Sequence, residues 1–454
     1  KNMYIRAALL VRLFIFESMK QLEKGSVKLL NAWASYDWAN SVYSLVIASA
    51  VFPIYYGQLF KEKGTQEIEV FGIVLKNTAL ISFITAFAFL VVAFFSPLLS
   101  GIADYVGNKK NFMRFFCYLG ASSCIGLYWF DLDNIYVGLV CYFFGLIGFW
   151  GSLVFYNSYL PDVAFPEQQD RISARGYSMG YIGSVVLLII NLAMVMKPGI
   201  FGIHGDDASI VAMKYSFVSV GIWWIAFSQY AFYYLPTGNA NSGKVHSGVI
   251  FNGFKELRKV WHQLEDNLRL KRYLASFFVY SMAVQTVMLV ATYFGEQEIA
   301  WKDDDEKTMG LIISILVIQL VAVLGAVVTS RASEKFGNIK TLMVINCIWV
   351  VICITAFFVT LPIHFYITAG FVGLVMGGIQ ALSRSTYSKF LPENTQDTAS
   401  FFSFYDVAEK IGIVIGMALY GFIDQITGSM RNSIVFLALF FISGVILLTR
   451  VPKK

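Results

Sequence analysis

Long apolar stretches recur along almost the whole chain and constrain its fold more than any other feature of the sequence. A helix needs roughly 20 apolar residues to cross the hydrocarbon core of a bilayer. Windows of about 19 residues predict about twelve such stretches, which makes the expected fold an all-α membrane protein. They lie near 33–57, 73–101, 112–130, 134–158, 173–196, 212–235, 273–294, 309–330, 341–361, 363–388, 400–423 and 432–450.

Composition supports the same class. Hydrophobic residues make up 57% of the chain and charged residues only 14%, with a mean hydropathy of +0.63. Soluble domains are about a quarter charged, so this chain lacks the polar residues to cover a soluble surface. Lipids are therefore expected partners, whereas the net charge of +6 is not taken as a nucleic-acid signal.

Lys and Arg are concentrated in alternate connections between the predicted spans. Lys109, Lys110 and Arg114 follow the second span, for example, and further basic residues cluster in the central polar stretch. Because cytoplasmic connections carry the excess of Lys and Arg, these connections and both termini are expected to be cytoplasmic. The expected location is a bacterial inner membrane, with the chain as a monomer.

A polar stretch divides the predicted spans into two groups of six. The predicted organisation is an N-terminal cytoplasmic segment (1–30), a six-helix bundle (31–235), a linker (236–272) and a second six-helix bundle (273–454). Within the linker, apolar residues recur at steps of three and four, which predicts an amphipathic helix. Either the membrane surface or the helix bundle could cover its apolar face.

The two groups resemble each other at corresponding positions. GIADYVGNKK (101–110) follows the second span, and EKFGNIK (334–340) follows the eighth; Glu334 lies 230 residues after Asp104. YNSYLPD (156–162) and YSKFLPE (387–393) match at an offset of 231. Two matches at nearly one offset indicate parallel repeats, which predict two pseudo-symmetric halves with a site between them near the midplane.

One of these loops carries a family signature. The pattern Gly101-x-x-Asp104-x-x-Gly107-x-Lys109-Lys110 resembles the loop between helices two and three of the major facilitator superfamily. The resemblance implies the major facilitator fold and a conformational gate at this loop. In that family the acidic residue contacts the other half and helps to hold the outward-facing state. Asp104, Gly107, Lys109 and Lys110 are therefore gate candidates.

Four other segments resemble a narrower family. NAWASYDWANSVYS (31–44), FYNSYLP (155–161), GIQALSRSTY (378–387) and FFSFYD (401–406), followed by Lys410, are similar to the vacuole-effluxer-like, or unknown major facilitator, family. The resemblance covers most of the chain from about residue 31. It implies a transporter, and, since fungal relatives are implicated in exporting amino acids from the vacuole, it points to amino acids as substrates.

The first predicted span carries polar residues in its apolar sequence. Asp37 and Asn40 lie on one helical face with Tyr43 beside them, and this face is expected to line a central cavity. Burying a charge in a bilayer is costly, so Asp37 is a candidate functional residue. Three roles stay open: binding a substrate amine, binding a coupling proton, or forming a structural ion pair with Arg175 or Arg384.

The eleventh predicted span begins with a second charged group. Asp406 and Lys410 are one helical turn apart and can neutralise each other. Glu409 would then be free to meet Arg384 of the tenth span. The hypothesis is that these four residues belong to a gate that opens and closes as access alternates.

Three further residues are candidates for the solute pathway. Asn157 and Gln380 could line it with hydrogen bonds, although single amides also join helices to one another. Arg175 could bind a substrate carboxylate or anchor the cytoplasmic end of its helix. The expected function is secondary transport of a small solute, with proton-coupled amino-acid efflux as the specific version. The alternatives are a facilitative carrier or exporter of another solute (a sugar, peptide or organic ion) and a scaffold.

Other classes find no support in the sequence. The chain has no GxxxxGK[ST] phosphate loop and no HExxH zinc motif, so neither an ATP-driven pump nor a zinc protease is expected. The five cysteines form no CxxC pair. The prediction is therefore a protein that is not an enzyme and that needs no cofactor or metal.

Overall fold

The computed structural model describes residues 22–65, 67–70, 72–237, 249–393 and 395–452. Most of the predicted N-terminal segment, residues 1–21, lies outside this range, as do residues 238–248 of the predicted linker. Ten helices in the described part are long and apolar enough to cross a membrane. Two further long helices, Lys109–Gly126 and Thr398–Thr427, carry more charged side chains.

Together these helices form the predicted twelve-helix fold. The first combines α-helical, π-helical and again α-helical segments: Val27–Val42, Tyr43–Val51 and Phe52–Glu62. The helices, numbered α1 to α12 in chain order, are Val27–Glu62, Asn77–Val106, Lys109–Gly126, Ile135–Ser158, Pro166–Met196, Ala208–Tyr234, Leu268–Glu298, Asp304–Phe336, Asn338–Ala356, Pro362–Phe390, Thr398–Thr427 and Met430–Thr449.

A small antiparallel hairpin precedes α2. Strands β1 (Glu67–Val70) and β2 (Ile73–Lys76) pair through Val70 and Ile73. The expected start of the second span at residue 73 is therefore wrong. Gly72, with φ at +76°, supplies the left-handed conformation that the tight turn needs, and the β-branched residues after it favour a strand.

Two large hydrophobic cores lie mainly in one half of the molecule each. The core of α1–α6 includes Trp33, Phe217 and Trp224. The core of α7–α12 includes Trp349 and Phe441, whose rings stack at 5.3 Å. Each half therefore buries its own apolar surface, as two bundles that move against each other require.

The linker contains the predicted amphipathic helix, Val249–Asp266. Val260 and Leu264 are buried, and the Trp261 ring lies 5.8 Å from that of Phe404 in α11. Packing against the bundle thus covers part of its apolar face, while Trp261 itself remains 48% exposed.

The turns after α2 and α8 confirm the repeat at the level of backbone conformation. Gly107 ends α2 with φ at +70°, and Gly337 ends α8 with φ at +86°. A side chain is disfavoured in this region, so glycine is required at both positions.

One face of the molecule carries these turns and the described chain ends, and we call it the basic face. The Gly25 N–H donates to Val163 O, Tyr159 to Pro236 O, and Arg272 to Arg450 O. These contacts hold the ends of α1, α4, α6, α7 and α12 at one side of the bundle. The hairpin β1–β2 lies at the opposite face.

Helices α8 and α10 pack so closely that glycine is needed at their contact. A Cβ atom on Gly377 would lie 2.1 Å from Ala322 O, and one on Gly325 would lie 2.0 Å from Leu374 O. Small residues allow helix backbones to approach in this way inside a membrane.

We expect Gly377→Ala to lower the thermal unfolding midpoint, because the added methyl group must push α8 and α10 apart. Overpacking of this kind costs about 1–3 kcal/mol. Gly370→Ala is the matched control, since it lies in the same helix and a Cβ there meets no atom within 4 Å. Thermal unfolding in detergent measures both, and equal midpoints would contradict the close packing.

Candidate functional site

A buried ion pair joins the two halves. Arg384 Nη2 in α10 lies 3.3 Å from Asp37 Oδ2 in α1, and the side chains are 2% and 5% exposed. Asp37 is about 15 Å along α1 from its start at Val27, which places the pair well inside the bundle. Of the ion pairs expected for Asp37, the structure therefore has the one with Arg384.

Three helices of the first half surround the Arg384 guanidinium. Nη1 donates to Asn157 Oδ1 in α4 at 3.1 Å, Nε donates to Ser173 Oγ in α5 at 3.0 Å, and Nη2 donates to the Ser173 carbonyl at 3.0 Å. The guanidinium also lies 4.2 Å from the ring centroid of Tyr177. Because these contacts satisfy the buried charge from several sides, the arginine side chain is held firmly against the first half.

Two local features of the first half make room for the pair. Tyr156 donates to Asp37 Oδ2 at 2.7 Å, and its ring stacks on Trp33 at 4.7 Å. A Cβ on Gly176 would lie 2.4 Å from Asp37 Oδ2 and 3.2 Å from Arg384 Nη2. Glycine at this position in α5 therefore allows the carboxylate and the guanidinium to meet.

A first set of polar contacts between the halves lies at the basic face and involves the predicted signature loop; we call it the first latch. Asp104, near the end of α2, accepts hydrogen bonds from the Ser400 N–H and hydroxyl, both at 2.7 Å, and from the Ala399 N–H at 3.3 Å. A carboxylate is favoured there because the start of α11 carries a partial positive charge. Lys109 donates to Thr398 Oγ1 at 2.7 Å and pairs with Asp162.

A second latch occupies the corresponding place across the pseudo-symmetry axis. Asp170, near the start of α5, accepts from Ser333 Oγ at 2.9 Å, from Asn338 Nδ2 at 2.9 Å, and from Lys389 Nζ at 2.6 Å. Sequence analysis missed Asp170. The sequence does place a carboxylate here, in the second turn of α5 and next to basic residues. The internal repeat also relates this interface to the one that contains Asp104.

The charged group of α11 forms its own cluster. Lys410 Nζ lies 2.8 Å from Asp406 Oδ1 and 3.0 Å from Glu409 Oε2, and Glu409 Oε1 accepts from Gln285 Nε2 in α7 at 2.7 Å. The Asp406–Lys410 pairing is confirmed. The expected contact of Glu409 with Arg384 is wrong for this structure, because each has closer partners of opposite charge.

The remaining candidates lie in different surroundings. Asn40 is 1% exposed, and its Nδ2 atom has no hydrogen-bond partner in the described part of the protein. Gln380 accepts from Tyr181 of the other half at 2.6 Å. Tyr43 is buried inside the first half, where its ring stacks on Phe149 at 4.9 Å.

Two basic candidates lie apart from the ion pair. Lys110 donates to Leu235 O at 2.6 Å, within the first half. Arg175 is exposed, whereas the neighbouring Ser173, Ala174 and Gly176 are buried. Its side chain therefore points away from the interior, as anchoring would require.

The polar contacts between the halves extend from the middle of the bundle to the basic face. Tyr181 with Gln380, Asp37 with Arg384, and the two latches follow one another in that direction. Toward the opposite face, the ion pairs of Lys63 with Asp133 and of Arg431 with Glu298 each join residues of a single half. The basic face is therefore closed in this structure.

Comparison with known proteins agrees with this architecture. The uncharacterized MFS-type transporter YxiO of Bacillus subtilis strain 168 is 30% identical over 430 residues, which cover 93% of this chain and 95% of the relative. Autophagy-related protein 22-1 of Phaeosphaeria nodorum is 22% identical over 506 residues, covering 90% of this chain and 87% of the relative.

The fold also has a close counterpart among solved structures. The crystal structure of the major facilitator transporter FucP in the outward conformation superposes with a TM-score of 0.67, covering 94% of this chain and 99% of that chain at 14% identity. A family model described as vacuole effluxer Atg22 like matches residues 25–454. The chain thus belongs to the vacuole-effluxer-like family of major facilitator membrane transporters.

Proposed function

We propose that this protein exports amino acids by alternating access, using a proton gradient, and that the Asp37–Arg384 pair locks its basic face. The observation that carries the proposal is the burial of this pair between the halves. A charge pair that is fully satisfied across a movable interface has two discrete arrangements, formed and broken. Such an element is what a rocking carrier requires.

The orientation follows from charge. If the basic face is cytoplasmic, as the excess of Lys and Arg in its connections indicates, the closed basic face corresponds to an outward-facing state. In an outward-facing state, the solute exchanges only with the outer side of the membrane. Opening the basic face then requires that Arg384 leave Asp37, Asn157 and Ser173 together.

The substrate class rests on the family and on the polar groups near the pair. The family model that the chain matches is described as vacuole effluxer Atg22 like, and the sequence resemblance implies amino acids. Asn40 and Gln380 lie within one or two helical turns of Asp37 and Arg384 along α1 and α10. Once the ion pair is broken, Asp37 can bind an α-ammonium group and Arg384 an α-carboxylate, which are the two charges of a free amino acid.

The decisive experiment is counterflow in proteoliposomes with a mixture of labelled amino acids, with and without an imposed proton gradient. We expect saturable uptake that the gradient stimulates, and a loss of at least about tenfold in Asp37→Asn. Asp133→Asn is the control, because it removes an exposed carboxylate in the same half.

The other outcomes separate the alternatives. Uptake without gradient stimulation would indicate a facilitative carrier. Uptake of sugars, peptides or organic ions in place of amino acids would replace the substrate class. An absence of counterflow with every solute would favour a scaffold and overturn the proposal.

A further inference from the structure

The charges of the α11 cluster do not balance, unlike those of the Asp37–Arg384 pair. Asp37 and Arg384 contribute one negative and one positive charge. The α11 cluster contributes two carboxylates, Asp406 and Glu409, but a single ammonium, Lys410. In a water-poor interior an uncompensated charge is unfavourable, so this cluster needs one more positive charge.

The geometry of the cluster leaves a place for that charge. The side chains of Asp406 and Lys410 are 6% and 1% exposed, and both carboxylates share the same ammonium. Asp406 Oδ2 is buried and has no hydrogen-bond partner within the described ranges. Glu409, at 17%, is the most exposed of the three side chains. A proton can therefore arrive through Glu409 and neutralise one of the two carboxylates that contact Lys410.

Within the part of the chain that the structure describes, the neighbouring groups supply no second cation. The Trp150 ring of α4 lies 3.6 Å from Lys410 Nζ, and Gln285 of α7 donates to Glu409. The hydroxyl groups of Tyr177 in α5 and Tyr405 in α11 lie close enough to Glu409 to interact with it electrostatically. None of these groups carries a positive charge.

We propose that Asp406, Glu409 and Lys410 form the site that binds the coupling proton, while Asp37 remains paired with Arg384. This assignment rests on the proposed transport function and refines it, because it separates the proton site from the lock. The proton makes the cluster neutral when the basic face is closed.

The two halves meet at this cluster, so opening changes its environment. Trp150 belongs to the first half and covers Lys410 of the second half. When the halves separate at the basic face, Trp150 withdraws and water reaches the carboxylates, which favours loss of the proton. The closed state therefore binds the proton more tightly, and by linkage a fall in pH raises the closed population.

Tyr177 of α5 takes part in the contact that opening must break. Its ring packs against the Arg384 guanidinium at 4.2 Å, so the arginine must leave this ring when the halves separate at the basic face.

The test measures the distance between spin labels at positions 167 and 393, in nanodiscs without substrate and with the five native cysteines replaced. Glu167 and Glu393 are exposed at the basic face on opposite halves. We expect the ratio of molecules with a closed basic face to molecules with an open one to rise as pH falls. For one proton, the rise is at most about tenfold per pH unit.

Glu409→Gln and Asp406→Asn each imitate the protonated cluster. We expect the basic face of both variants to be as closed at high pH as that of the unmodified protein is at low pH. The distance between the labels should therefore not change with pH in either variant. Asp424→Asn, which removes a carboxylate of α11 outside the cluster, should keep the unmodified profile. Using two variants keeps the test valid if one fails to fold.

Three results would overturn the assignment: a flat profile in the unmodified protein, an unchanged pH slope in both cluster variants, or the same shift produced by sodium at constant pH. Counterflow measured in parallel separates this proposal from the transport function. Amino-acid counterflow without a pH-linked distance change would refute only the proton site. A pH-linked distance change with counterflow of another solute, but not of amino acids, would refute only the substrate class.

Discussion

Arg384→Met is expected to open the basic face and to abolish transport. The substitution leaves Asp37 buried without its cation, and breaking a buried ion pair in this way costs about 3–5 kcal/mol. Since 1.4 kcal/mol corresponds to a factor of ten, the closed-to-open ratio should fall on the order of 100-fold or more. Distances between spin labels at positions 167 and 393 measure this ratio, and counterflow measures the transport.

A double-variant cycle distinguishes the lock from a general loss of stability. Asp37→Asn together with Arg384→Met removes both charges, so the thermal unfolding midpoint should recover toward that of the unmodified protein. The basic face should stay open, because the contacts of Arg384 with Asn157 and Ser173 are also lost. Recovery of both stability and closure would show that the ion pair is not the lock.

Lys410→Met is expected to be strongly destabilising for a related reason. It leaves Asp406 and Glu409 next to each other with no cation, and the loss of one partner from a buried ion pair costs about 3–5 kcal/mol. The thermal unfolding midpoint should therefore fall sharply at neutral pH. The deficit should shrink as pH falls, because protonation removes the charge of the two carboxylates.

Charge-neutral replacement of the whole cluster is the matching control. Combining Asp406→Asn and Glu409→Gln with Lys410→Met leaves no charge in the cluster, so the triple variant should be more stable than Lys410→Met alone. Thermal unfolding of the purified variants at several pH values measures the effect. A Lys410→Met protein as stable as the unmodified one at neutral pH would contradict the charge balance on which the proposed proton site depends.

The gate combines contacts at several depths. The Asp37–Arg384 pair lies inside the bundle, and the latches of Asp104 and Asp170 lie nearer the basic face. Asp170 is nevertheless buried, at 3% exposure, and pairs with Lys389 Nζ at 2.6 Å. Opening the basic face therefore requires that two buried ion pairs break together with the hydrogen bonds of Asp104.

The amino-acid sequence alone determined the class of the protein, its twelve spans, the repeat of six helices and the family. These properties depend on local hydropathy and on short motifs, and both can be read without knowing which helices touch. The signature loop around Asp104 and the glycine turn at Gly107 were predictable for the same reason. The hairpin β1–β2 was not, since a short apolar strand and the start of an apolar helix have similar hydropathy.

Only the tertiary structure decided which charged residues meet. Arg384 pairs with Asp37, 347 residues away, instead of with Glu409, and Arg175 points outward although it lies one residue from buried Gly176. The rotation of each helix about its axis and the packing of one half on the other select these partners. Both result from many long-range contacts acting together, so no single stretch of sequence records them.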